Sequence, residues 1–137
     1  MLFVEVVSGL WVGDVGAMSH LPLLRDQQIG LVMNCTDLYE FPNHECVKVR
    51  VPLPSSQSNE SKVGILRSNY KDITKVIASH IVDRNIFIGC SDGTCIGPLI
   101  AALYMKEYGN LPVQSIYDII LTKDPRFSLW CDLASFT

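Results

Sequence analysis

Charge is scarce in this chain. Lys, Arg, Asp and Glu make up 18% of its 137 residues, against 48% apolar residues. A chain this rich in apolar side chains does not stay disordered, and it is long enough to bury a core without staples. The formal net charge is −3, so a basic excess is also missing, and with it any overall electrostatic reason to bind nucleic acid or an anionic membrane. No apolar run reaches membrane-spanning length. The opening residues lack a basic leader, and Glu5 and Asp14 come too early for a signal peptide, so a cytoplasmic setting is expected, with entry to the nucleus left open. The five cysteines lack Cys-x-x-Cys spacing and are odd in number, which disfavours a zinc site and a disulfide framework. Neither a metal nor a cofactor is expected. Cys35, Cys46 and Cys131 read as small apolar residues in a reducing compartment. Repeats and low-complexity stretches are missing too, and residues 1–137 read as a single domain.

What is there alternates between strand and helix patterns. Val4 to Val7 and Leu10 to Val12 read as short strands meeting at the Ser8-Gly9 turn. Ala17 to Gln28 reads as one helix, with Pro22 tolerable only near its first turn. Leu31 to Cys35 is a continuous apolar run, a buried strand, and Cys46 to Leu53 alternates as a half-buried one. Ser61 is the expected cap of a long helix running through Val82. Asn85 to Ile88 reads as a central strand. Leu99 to Tyr108 and Val113 to Leu121 read as helices split by Gly109-Asn110-Leu111-Pro112, and Leu129 to Phe136 as a short closing helix. The expected fold is α/β, a central, mostly parallel sheet of four or five strands with helices on both faces.

The stretch that carries chemistry is Gly89-Cys90-Ser91-Asp92-Gly93-Thr94-Cys95-Ile96-Gly97, lying between the central strand and the following helix. A cysteine at a strand end, a glycine-bearing loop and a helix N-terminus together aim backbone N–H groups at an anion and favour a thiolate. On that loop, and on further elements in family order, the chain resembles the dual-specificity phosphatases of the protein tyrosine phosphatase superfamily. Gly9-Leu10-Trp11-Val12-Gly13 is similar to the family's opening element. Val51-Pro52-Leu53 resembles the strand end leading to the general-acid loop, and Ala101 to Lys106 resembles the helix after the cradle. The tetrapeptide Cys90-Ser91-Asp92-Gly93 is also similar to the myotubularin cradle, but the chain is far too short for that group.

The resemblance makes Cys90 the position of the nucleophile, and it exposes four replacements. Gly89 stands where the family has histidine, Ile96 where it has the phosphate-gripping arginine, Gly97 where it has serine or threonine, and Ser55 where it has the general-acid aspartate. A guanidinium fork is the side chain matched to a phosphate's oxygens. By analogy with arginine fingers its loss costs about 10³–10⁵ in rate, and loss of a general acid costs about 10²–10⁴. The resemblance therefore implies a pseudophosphatase: Cys90 a vestigial nucleophile, Ser91 to Ile96 a degenerate phosphate loop, and a protein partner, such as a phosphoprotein or signalling kinase, bound or competed for. Two rivals stand beside this reading. One is a divergent active phosphatase in which Ser55, Asp92 or a distant cation replaces the lost groups. The other is a thiol redox protein using Cys90 and Cys95. Asp92 reads as a loop-shaping side chain, and His20, His44 and His80 as surface or helix-face residues. Arg67, Lys123 and Arg126 read as solvated. Trp11 and Trp130 read as packing residues, with Trp130 placed near an end where it could anchor a partner.

Overall fold

The computed structural model describes residues 1–129 and 131–137, so the expectation for Trp130 lies outside the described residues. Strands β1 (Phe3–Val7) and β2 (Leu10–Gly13) form an antiparallel hairpin. Its turn needs Gly9, whose φ of +86° L side chains rarely adopt. Strands β3 (Ile29–Asn34), β4 (Val47–Arg50) and β5 (Asn85–Gly89) complete a five-stranded sheet in the order β1-β2-β5-β3-β4. All pairings except the hairpin are parallel. The central position of β5 agrees with its buried apolar run Ile86 to Ile88, because a strand covered on both faces is largely apolar.

The pleat divides the core in two. Ile86 and Ile88 of β5 join Leu10, Val12, Leu31 and Met33 on one face, while Phe87 joins Trp11 and Val32 on the other. The first face is covered by helices α3 (Asn59–His80), α4 (Ile96–Tyr108) and α5 (Val113–Lys123). The second is covered by the short helices α1 (Val15–Met18) and α2 (Leu21–Asp26), through Ala17, Met18 and Leu24. Burying each large side chain of these clusters stabilises the fold by about 1.5–3 kcal/mol before entropy is counted.

Several boundaries differ from the sequence reading. The expected helix over Ala17 to Gln28 is broken at Ser19-His20, because His20 caps a second helix by accepting from Leu23 N–H, and Pro22 then falls in the first turn. Ser58, not Ser61, caps α3: its hydroxyl accepts from Ser61 N–H at 3.2 Å, which adds a turn in front of the apolar stripe Val63, Leu66, Tyr70, Ile73 and Ile77. Strand β4 is shorter than expected, since Pro52 cannot donate to a ladder. Helix α4 starts three residues before Leu99, with Pro98 in its first turn, where no N–H is required. Among its described residues, the closing segment forms a 3₁₀ turn at Leu133–Ser135.

Candidate active site

Strands β2, β5 and β3 end level with one another: Gly13 and Asn34 both pair with Gly89. Cys90 follows immediately, its N–H donating to Gly13 O at 3.2 Å, while Cys35 N–H donates to Gly89 O at 2.8 Å. The thiol thus lies at the carboxyl end of the central strand, where α/β sheets form their ligand crevices. From there the chain crosses Ser91 to Cys95 and enters α4 at Ile96.

The loop is pressed against its neighbours. Gly93 has φ +77°, and a Cβ there would come within 2.7 Å of Gly13 C, 2.8 Å of Leu2 Cδ2 and 2.9 Å of Asp14 N. Only glycine meets both demands. Asp14 fixes the ground under it: one carboxylate oxygen accepts from Ala17 N–H and the other from Leu2 N–H, each at 2.9 Å. On the opposite side Ser128 N–H donates to Thr94 O at 2.8 Å. Within the loop, Asp92 Oδ1 accepts from Thr94 N–H at 3.0 Å. One of the loop's backbone donors is therefore turned toward a carboxylate of the loop itself.

A strand, a cysteine-first loop turning at a positive-φ glycine, and a buried helix that starts under the sulfur are together the arrangement seen in known phosphatases. The structure of human DUSP28 superposes with a TM-score of 0.83, covering 99% of this chain and 90% of that one at 13% identity. The chain has the dual-specificity phosphatase fold. DUSP15 gives a TM-score of 0.79 over 98% of this chain and 83% of that one, also at 13% identity. The human tyrosine phosphatase-like serine/threonine/tyrosine-interacting protein gives 0.69 over 98% and 91%, at 8% identity. No protein-family model and no curated protein sequence matches the chain.

Within this phosphatase fold the sulfur is in a poor state for attack. Cys90 is 3% exposed, and burial pushes its thiol up to about 12. Backbone N–H groups of Gly97 and Gly93 reach the sulfur and work the other way, but Asp92 and Cys95 add negative charge that opposes ionisation. The Cys90 thiol also points toward Gly13 O at 3.9 Å. Residues 90–97 contain no lysine or arginine to offset this. Ile96, expected from the sequence to stand at the cradle-arginine position, is 5% exposed and belongs to the core cluster with Leu99 and Ile100. Gly97 is a close-approach site, since a Cβ would lie 2.6 Å from Val12 Cγ1 and 3.1 Å from Cys90 Sγ. At Gly89 a Cβ would meet Met18 Sδ and Phe87 Cε2, each at 2.9 Å. At Gly89, Ile96 and Gly97 alike, neighbouring core atoms leave little room for a larger polar side chain.

Ser55 lies in the turn after Leu53, and its N–H donates to Asp37 Oδ1 at 3.2 Å. Sequence reasoning missed Asp37, which comes from the β3–β4 connection. Desolvation would raise its carboxyl, but the Ser55 backbone and hydroxyl and its own backbone N–H hydrogen-bond to it, Lys62 is close, and it is held below the ordinary value. An ionised carboxylate accepts protons' hydrogen bonds and does not deliver a proton to a leaving group at neutral pH. The connection is itself braced: buried Asn34 donates to Tyr39 O at 2.9 Å and accepts from the Thr36 hydroxyl at 2.6 Å, and Arg50 donates to Thr36 O and Tyr39 O.

The segment bearing Ser128 also carries Arg126. Its guanidinium is held by Asp124, with Nε at 2.9 Å from Oδ1 and Nη2 at 2.8 Å from Oδ2. That carboxyl is lowered to about 2 by its bonds from Arg126. Arg126 is exposed, as expected, and the two-bond fork to Asp124 fixes its orientation at the surface. Arg67 is exposed too, and there it bonds the Ser135 hydroxyl at 2.6 Å and lies over the Phe136 ring. His44 bonds Ile29 O through Nε2 at 2.7 Å. Burial also raises Cys35, whose ionisation is further opposed by Cys90. Among the described residues no helix is long and apolar enough to cross a membrane, and no cluster of three metal-ligating side chains occurs.

Proposed function

We propose that this protein is a catalytically impaired dual-specificity-phosphatase-like module that acts by binding, as a scaffold or competitor for a protein partner. The observation carrying this reading is the state of Cys90: a buried thiol raised to about 12, in a loop without a cation. A phosphatase of this fold needs a thiolate and a positive clamp on the phosphoryl oxygens, because positioning and charge stabilisation supply most of the rate in phosphoryl transfer. Both needs are opposed by the local packing. Ser55 provides no carboxyl, and its neighbour Asp37 is held ionised. The divergent-enzyme reading needs Ser55, Asp92 or a distant cation to replace the lost groups. Arg126 is near enough to Asp14, beneath the loop, to feel its charge, but its guanidinium is held by Asp124. The redox reading is weakened by the same burial, since thiol–disulfide exchange proceeds through a thiolate. The name of the human serine/threonine/tyrosine-interacting protein, a structural neighbour, refers to interaction and to likeness to a phosphatase, which is consistent with a non-catalytic use of the fold. A partner that is a phosphoprotein or a signalling kinase follows from the fold's ancestry and belongs to the proposal, as does a cytoplasmic site of action. The test is hydrolysis of p-nitrophenyl phosphate and of phosphopeptides against a Cys90→Ser control. Equal rates are expected; clear turnover above the control overturns the reading.

A further inference from the structure

Strand β4 forms one edge of the sheet and, among the described residues, pairs only with β3. Val51 N–H donates inward to Asn34 O at 2.9 Å. Because backbone groups alternate along a strand, Lys48 and Arg50 direct theirs outward, away from β3. Val47 and Val49 sit opposite Leu31 and Met33, so they share the face that α3 covers. That cover is incomplete: Val47 is exposed and Val49 is half-buried. Beyond the end of the strand the gap between β4 and α3 opens into a cavity of about 300 Å³ walled by Val51, Pro52, Ile65 and Ile73, with Asn69 and Asp72 at its rim.

The charges beside this groove are unequal in availability. Arg50 also lines it, but its guanidinium donates to Thr36 O at 2.8 Å and Tyr39 O at 3.0 Å and lies 5.0 Å from the centre of the Phe41 ring. Asp72 makes neither a hydrogen bond nor an ion pair among the described residues, and Asn69 is turned to Ile65 O. The groove therefore offers apolar walls, outward backbone groups along one edge, and one uncommitted carboxylate.

We infer that the β4 edge and its groove form a docking site for an extended segment of a partner protein, one that adds a short strand to β4. The segment seats one apolar side chain between Val51, Ile65 and Ile73 and brings a lysine or arginine to Asp72. Backbone pairing gives such a complex its affinity, and the pocket and the carboxylate give it its choice of sequence. A second copy of this chain fits the edge poorly, since edge-to-edge pairing of so short a strand would bring two Lys48 side chains together. This site does not depend on whether the Cys90 loop turns over phosphate.

The test is an NMR titration of the full chain with the peptide Ac-Lys-Thr-Ile-Thr-Ile-Thr-amide. Saturable shifts are expected at the Lys48 and Arg50 amides and at the Val51, Ile65 and Ile73 methyl groups. Replacing the peptide's lysine with glutamate, or changing Asp72→Lys in the protein, should weaken binding by about fivefold. Added salt should narrow that difference. Lys48→Pro, which removes an outward donor while leaving the β3 ladder intact, should weaken the wild-type peptide's binding as well. Both substitutions are at exposed positions, and circular dichroism checks that each variant is folded. Equal affinity for the lysine and glutamate peptides, shifts centred elsewhere, or no saturation at millimolar peptide overturns the proposal. A concentration-dependent dimer that disappears on Lys48→Pro overturns it too, by giving the edge to a second copy.

Discussion

Ile96→Arg restores the family's cradle residue on paper, and the structure predicts that it damages the fold. Ile96 opens α4 at 5% exposure within the main core cluster. Losing its burial removes about 1.5–3 kcal/mol. The longer side chain must then either thread its charge out past Cys90 and Gly97 or leave it unpaired among apolar neighbours, which costs several kcal/mol more where no partner exists. Asp92 is the carboxylate within the loop, but it is committed to Thr94 N–H. A net destabilisation of about 2–5 kcal/mol is expected, in the range of large core substitutions. That is a large share of the roughly 5–15 kcal/mol by which a domain is stable. In a chain of this size it lowers the melting temperature by roughly 6–20 °C. Urea unfolding followed by circular dichroism gives the free energy, and the melt gives the temperature. A variant within about 1 kcal/mol of wild type would refute the reasoning, since it would mean that position 96 opens onto the crevice with room for a guanidinium.

Other outcomes follow from the same packing. Gly97→Ser, the companion change needed to restore a hydroxyl, places a Cβ 2.6 Å from Val12 Cγ1, a stiff β-branched contact; a loss of about 1–3 kcal/mol is expected by overpacking, and an unchanged melt would contradict it. The Cys90 thiol, raised to about 12 by burial, should react with iodoacetamide near neutral pH at least about 10³-fold more slowly than an ordinary thiol, because its thiolate fraction is that much smaller. Its linkage has a definite sign. The unfolded chain releases this proton near pH 8.5 and the folded chain only near 12, so the stabilisation is whole below about pH 8.5 and is lost progressively as pH rises toward 12. Cys90→Ala should reduce that alkaline slope, and an identical slope would assign it to other groups.

The sheet and the loop were legible in the sequence for local reasons. Ile86 to Ile88 is apolar without interruption, and Cys90, Gly93 and the apolar helix after them follow at fixed spacing, so strand, loop and helix could be placed from pattern and spacing. Helix boundaries were less legible. Ser58 and Ser61 are equally good caps by chemistry; in the structure the Ser58 hydroxyl accepts from Ser61 N–H, so the helix begins at Asn59. The crowding at Gly89 and Gly97 is hard to see in sequence, because Met18 and Val12 come from another helix and another strand and join Phe87, two residues before Gly89 on its own strand. For the same reason Asp37 was missed: it reaches Ser55 across 18 residues, through a connection held in place by Asn34, Thr36 and Arg50. The Asp124–Arg126 fork carried a weak signal in its Asp-Pro-Arg spacing, but the contact of its segment with the loop, through Ser128 and Thr94, carried none.

If the Cys90 loop keeps the cradle's backbone shape but has lost its hold on anions, it should bind them weakly. Titration with vanadate tests that claim without requiring knowledge of any substrate. Amide shifts of Ser91 to Gly97 would be followed by NMR in the wild-type protein. With Thr94 N–H turned to Asp92, Ile96 in the core and Cys90 protonated, the expected result is weak binding that does not saturate below the millimolar range. Saturation at low micromolar vanadate would contradict the account, and would mean that a cation from outside the loop completes the site.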